Sequence, residues 1–169
     1  AASAGSPAVQ NGDLGHRKKI NIRDGLQATP ENRQTLNNYF SGAALNNTVS
    51  LRTARFAPQR ARPGDVLHIE LQWETAAALM TDYKVFVHVA DETGKPLAQW
   101  DGMPGLNTTT TSQWIPGQPF SDHIVVPLPP QLAAGDYRIL TGLYDPASGA
   151  RLGDRAIEIG RVRVQQRVG

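Results

Sequence analysis

The sequence predicts an all-β fold, an antiparallel sandwich of the immunoglobulin-like or jelly-roll-like type, with an N-terminal arm and one short helix. Two observations carry this. From Thr48 to Gln165 apolar residues recur at every second position in short runs, the period of strands with one buried face. Turn-forming clusters rich in Gly, Pro and Asp separate the runs roughly every 8–12 residues, the spacing of a sandwich with seven or eight strands. A chain of 169 residues is long enough to bury the core that such a domain needs.

The elements follow in order. Residues 1–28 combine small residues with the basic run His16-Arg17-Lys18-Lys19 and show no sustained apolar period, which predicts an extended arm. Thr29-Pro30-Glu31 has the character of a helix start, with Thr29 as N-cap, proline at the first helical position and a carboxylate in the first turn. Leu36, Tyr39 and Phe40 follow at helical spacing before Ser41-Gly42, predicting a short helix near 30–40. The domain organisation expected is thus an arm over 1–47 and a sandwich over 48–169.

Within the sandwich, Val49, Leu51 and Thr53 alternate with Ser50 and Arg52. After the turn Arg62-Pro63-Gly64-Asp65, Leu67, Ile69, Leu71 and Trp73 alternate with His68, Glu70 and Gln72. Tyr83, Val85, Val87 and Val89 share one face of the next strand, with Lys84, Phe86 and His88 on the other. Asp91 to Pro96 reads as a hairpin connection, and Leu97 to Trp100 as the returning strand. Further strands are expected at Pro119–Pro127, Gly135–Tyr144 and Ala156–Gln165. Pro127-Leu128-Pro129-Pro130 excludes a regular element between two of them. The turns before Val66 and before Tyr137 place glycine just ahead of a period-two run, so they are expected to be equivalent.

Composition excludes some chemistry. The chain has no cysteine, so a thiol nucleophile, a cysteine-ligated zinc and a disulfide framework are ruled out. No stretch approaches the roughly 18 apolar residues of a membrane helix. The formal net charge is +2, but residues 1–62 hold nine Lys/Arg against three Asp/Glu, whereas 63–145 hold three against ten. Such a distribution gives either opposed charged faces or a mixed, solvated surface. Basic residues are not interleaved with aromatics as nucleic-acid binding requires, so no nucleic-acid partner is expected.

No catalytic constellation is found. There is no Gly-x-Ser-x-Gly elbow, phosphate-cradling glycine loop or His-Glu-x-x-His. Ser121-Asp122-His123 is the best nucleophile candidate, but neighbours on a strand point to opposite faces and cannot share a triad. His68 and His88 have the same outward parity and would approach if their strands paired, with Glu70 beside His68; a metal site would still need a third ligand. Asp91, Glu92 and Asp145 sit in turns, where Asp caps its own backbone. The sequence therefore predicts a non-enzyme without cofactor or metal.

The segment Trp100 to Gly117 is the most informative. Trp100, Asp101, Asn107, Thr111 and Trp114 combine apolar ring faces with groups that hold hydroxyls, the chemistry of a carbohydrate or glycolipid site. The competing reading is that Trp100 and Trp114 plug the sandwich core.

The strings Arg62-Pro63-Gly64-Asp65, Leu71-Gln72-Trp73, Asp82-Tyr83-Lys84-Val85-Phe86-Val87-His88-Val89, Gln99-Trp100-Asp101-Gly102-Met103-Pro104, Trp114, Pro116-Gly117, Gly135-Asp136-Tyr137-Arg138 and Gly142-Leu143-Tyr144-Asp145 resemble a known region. It is the C-terminal extracytoplasmic β-sandwich of bacterial multi-pass membrane glycosyltransferases of the dolichyl-phosphate-mannose mannosyltransferase-like type. The likeness spans about residues 48–165. It implies an accessory module outside the cytoplasm, periplasmic or at the cell surface. It carries over no catalytic residue, since the transferase chemistry of such proteins belongs to their membrane portion. The function expected is a non-enzymatic accessory module that binds glycan or glycolipid. The alternative is a structural subunit that docks into a membrane or surface complex through its N-terminal arm.

Overall fold

The computed structural model describes residues 42–166; the helix expected near 30–40 and the arm before it lie outside these residues. Nine strands follow in chain order: β1 (Ala43–Ala44), β2 (Val49–Ala57), β3 (Arg60–Ala61), β4 (Val66–Thr75), β5 (Lys84–Ala90), β6 (Pro96–Gly102), β7 (Phe120–Pro127), β8 (Gly135–Tyr144) and β9 (Ile157–Val164). β1 and the buried Leu45 precede the expected domain start at residue 48. The sandwich thus begins a few residues earlier than the periodicity indicated, because a two-residue edge strand is too short to show a period.

The strands form two sheets, ordered β1-β2-β4-β7 and β3-β9-β8-β5-β6. Neighbours are antiparallel except β3 and β9, which run parallel. Among the described residues β1–β2, β5–β6 and β8–β9 are joined as hairpins within a sheet, and the other connections cross between sheets. Residues 58 and 59 carry the chain from β2 in one sheet to β3 in the other. This is the Greek-key connectivity of an immunoglobulin-like sandwich. A tyrosine corner accompanies it: near the start of β8, Tyr137 Oη donates to the Ala133 carbonyl at 2.7 Å.

The core is built from the inward parity of both sheets. β4 alternates throughout, with Leu67, Ile69, Leu71 and Trp73 buried and His68 and Glu70 outside. In β2 the expected alternation holds only to Leu51. A bulge between Leu51 and Thr53 adds a residue to the strand, so the core positions pass to Ala54 and Phe56 and Thr53 is left half-buried. Phe56 packs across the interior onto Gly160 of β9, where an added Cβ would lie 2.5 Å from the ring. The two turns expected to be equivalent both lead into core strands. Gly64 takes φ 86° and Gly135 φ 154°, and Asp65 closes the first turn by accepting from the Arg62 N–H at 2.8 Å.

Among the described residues basic and acidic side chains are interleaved on the sheet surfaces. Arg52 and Arg55 of basic β2 lie beside β4 and pair with Glu74 and Glu70 at 2.6 and 2.8 Å. In β9, Arg161 pairs with Glu92 and Glu158, and Arg163 with Asp136. The basic residues of β2 and β9 meet acidic partners from elsewhere in the chain because strands distant in the sequence are neighbours in the sheets.

Candidate functional site

The long connection from β6 to β7 closes one end of the sandwich. It contains a helical turn, α1 (Pro104–Asn107), and a 3-10 turn at Thr111–Gln113. In α1, Gly105, Leu106 and Asn107 all adopt left-handed conformations, with φ of 65°, 54° and 68°. Such a run is unfavourable for leucine and is held by side-chain bonds. Asn107 Oδ1 accepts from the Met103 N–H at 2.8 Å, and Asp122 Oδ1 of β7 accepts from the Gly105 N–H at 3.2 Å.

The five residues that the sequence singled out occupy different environments. Trp114 is 5 % exposed and stacks with Trp73 at 6.5 Å and with Phe120 at 5.3 Å between ring centroids. Its ring seals the core and presents no open face. Thr111 is fully buried and ties this connection to the one between β4 and β5. Its Oγ1 accepts from the Tyr83 N–H at 2.9 Å and donates to the Thr81 carbonyl at 2.8 Å. Trp100 is partly buried and packs against the core from the edge strand β6. Trp100 and Asn107 meet over Gly102, where a Cβ would lie 2.7 Å from each. Asp101, next in sequence to Trp100, points to the opposite face of the sheet. Trp100 and Trp114 are therefore placed as the core-plug reading expects, and the polar residues between them do not converge on one ligand.

Asp101 instead belongs to a cluster on the outer face of the five-stranded sheet. Opposite it in register is Phe86 of β5, and opposite Phe86 on the other side is Gly142 of β8. The Phe86 ring lies over Gly142, where a Cβ would come within 2.6 Å of the ring. Glycine at 142 is thus what allows the ring to lie flat on the sheet. Arg151, beyond β8, stacks its guanidinium 4.7 Å above the Phe86 centroid, a cation–π contact. His88 lies 4.8 Å from Phe86 and Tyr144 lies 6.3 Å from it. Tyr144 Oη donates to Asp101 Oδ2 at 3.0 Å. Asp101 and Arg151 are exposed, His88 is half-buried, and the Phe86 ring beneath them is buried.

The electrostatics of the cluster follow from half-burial. His88 is held below the ordinary imidazole value, by burial first, with Asp101 opposing and Arg151 adding to the effect. The Tyr144 phenol is raised by burial and by its bond to Asp101, so it is a neutral donor at physiological pH. The sequence placed Phe86 and His88 outward but did not connect them with Asp101, Tyr144 and Arg151. The signal available was the aromatic Phe86 at an outward position of a central strand.

The other candidates resolve simply. His68 and His88 lie on different sheets and cannot share a ligand, contrary to the pairing considered from the sequence; His68 neighbours His123, 5.6 Å away. Among the described residues there is no group of three or more His, Asp or Glu placed to hold a metal ion. Asp122 is buried and His123 faces outward, so the Ser121-Asp122-His123 string forms no triad. Asp91 and Asp145 cap their own turns: Asp91 Oδ1 accepts from the Thr93 and Lys95 N–H groups at 2.9 and 3.0 Å, and Asp145 Oδ1 from the Ala147 N–H at 2.9 Å. Among the described residues no helix is long and apolar enough to cross a membrane.

No protein-family model and no curated protein matches the sequence. Among solved structures, a Niemann-Pick type C2 protein from Japanese carpenter ant is similar, with a TM-score of 0.51 at 5 % identity, over 75 % of this chain and 98 % of that one. The CARDB domain of a Pyrococcus furiosus protein, solved with di-metal ions, gives a TM-score of 0.41 at 14 % identity, over 70 % of this chain and 96 % of that one. At 5 % identity the first likeness is one of fold: a β-sandwich domain.

Proposed function

We propose that the chain is a non-enzymatic β-sandwich accessory module that binds carbohydrate on the outer face of its five-stranded sheet. The observation that supports this most is the Phe86–Arg151 stack beside the Tyr144–Asp101 pair. Phe86 is itself buried, at 2 % exposure, and acts as the support on which the Arg151 guanidinium is held beside Asp101; the exposed donors and acceptors above it are the groups that hold hydroxylated ligands. The site replaces the Trp100–Trp114 connection as the binding surface because both of those rings are turned to the core. An extracytoplasmic, periplasmic or cell-surface location completes the proposal and rests on the resemblance of residues 48–165 to the glycosyltransferase C-terminal region.

The test is glycan-array binding of the purified protein and of Asp101→Asn and Tyr144→Phe. Each substitution removes a polar contact of the outer face, so each should weaken binding about tenfold, the scale of one charge-assisted hydrogen bond, without unfolding the protein. Unchanged binding in both variants would remove the outer face from consideration. A parent that binds no glycan would instead favour a structural subunit docked through its N-terminal arm.

A further inference from the structure

The outer face carries a charge imbalance that points to the class of its ligand. Lys84 of β5 is the register partner of Tyr144 in β8, and Tyr144 in turn bridges to Arg151. Register partners lie on one face of a sheet, so the two cations flank the Tyr144 ring. Phe86 stands two residues beyond Lys84 on the same strand face. Because Gly142 has no side chain to obstruct it, the Arg151 guanidinium extends back across β8 to lie 4.7 Å above Phe86. Both cations are thereby gathered over β5.

Among the described residues neither has a carboxylate partner. Among the described residues the ion pairs of this sheet join Arg138 to Glu158, Arg161 to Glu92 and Glu158, and Arg163 to Asp136, all toward the β9 side. Lys84 and Arg151 take part in none. Asp101, the carboxylate on this end of the face, uses Oδ2 on the Tyr144 hydroxyl, and Asp145 uses Oδ1 on its own turn. His88, held below the ordinary imidazole value mainly by burial, adds no charge at neutral pH.

Building on the carbohydrate reading above, we propose that this face takes an anionic saccharide, its acid group seated between Arg151 and Lys84 and a neighbouring hydroxyl on Asp101 Oδ1. A guanidinium stacked on a ring is already oriented and partly desolvated, so it donates to a carboxylate or sulfate at little further ordering cost. The free carboxylate oxygen accepts from sugar hydroxyls and repels a bare anion, which favours an acid group carried on a hydroxylated ring over inorganic anions.

The experiment compares a uronate oligosaccharide, a sulfated oligosaccharide and a neutral oligoglucose of equal length by calorimetry, with Arg151→Ala, Lys84→Ala and Lys95→Ala. Lys95 lies in the β5–β6 connection and controls for general attraction. The expected result is at least about tenfold preference for one or both acidic ligands over the neutral one, reduced about tenfold by Arg151→Ala and by Lys84→Ala and unaffected by Lys95→Ala. Preference for the uronate assigns a carboxylate, and preference for the sulfated ligand a sulfate ester. Equal affinity for acidic and neutral ligands overturns this inference and leaves the carbohydrate reading standing. Equal losses in all three variants, or full competition by inorganic sulfate at the same concentration as the oligosaccharide, also overturn it. Binding of none of the three ligands overturns both readings.

Discussion

Replacing Trp114 with alanine tests whether this ring holds the fold or serves a ligand. An indole buries roughly 200 Å² of surface, which at about 25 cal/mol per Å² is on the order of 5 kcal/mol. That is an upper figure, because the unfolded chain already shields part of the ring. Two terms modify it. Loss of the stack with Trp73 and Phe120 leaves a cavity, which adds to the cost. The Nε1–H of Trp114 has no acceptor, so its removal relieves about 1–3 kcal/mol of unmet desolvation. The expected net loss is about 3–5 kcal/mol, in the range of large-to-small aromatic substitutions in cores. Trp100→Ala, on an edge strand and only partly buried, should cost about half as much. Trp114→Phe should cost markedly less than alanine, since it keeps the stacking and deletes the unpartnered N–H. Urea denaturation monitored by circular dichroism reads all three, with a constant m-value required for comparison. A loss under about 1 kcal/mol for Trp114→Ala would refute the placement of this ring as a core seal.

Other perturbations follow from the same geometry. Asp122 is buried with Oδ2 unpartnered, and burial raises its carboxyl pKa against the opposing Gly105 and His123 N–H bonds. The folded state therefore holds this proton more tightly than the unfolded chain does. Stability falls as pH rises from the ordinary carboxylate range through the raised folded value. Asp122→Asn should remove that slope and stabilise the protein by about 1 kcal/mol at neutral pH, with the advantage vanishing on acidification in a pH series of denaturation curves. Thr111→Val deletes two of the bonds that join the two connections at the end of the sandwich, leaving the Ser112 N–H to Asp82 Oδ1, and should cost about 1–3 kcal/mol in denaturation and speed amide exchange at Tyr83. Gly142→Ala should force the Phe86 ring off the sheet, which a shift of the Phe86 ring signals in NMR and a weakening of outer-face binding would reveal, at a stability cost of about 1–3 kcal/mol.

Several features were legible in the sequence because they are local. The inward parity of Leu67 to Trp73, the turn at Arg62–Asp65 and the Asx turns of Asp91 and Asp145 each depend on neighbours within a few residues, and each is present as expected. The β2 bulge moves the buried parity from Leu51 to Ala54 and Phe56, a switch the reading of Thr53 as a core position hid, because threonine suits a strand on either face. The clustering of Trp100, Asp101, Asn107, Thr111 and Trp114 in sequence suggested a shared surface, but adjacency along a strand separates side chains. Trp100 went to the core side and Asp101 to the outer face.

By itself the sequence determined that this chain is a cysteine-free β-sandwich, where most of its strands run and which residues of each face inward, since a period of two and turn chemistry are properties of short segments. Only the tertiary structure decided which strands are neighbours. It set Arg52 and Arg55 against Glu74 and Glu70, parted His68 from His88, turned Trp100 and Trp114 inward, and brought Phe86, Asp101, Tyr144 and Arg151 together from three strands and a loop. Strand order is fixed by how two sheets jointly bury their apolar faces, a condition on the whole chain that no single run of residues encodes.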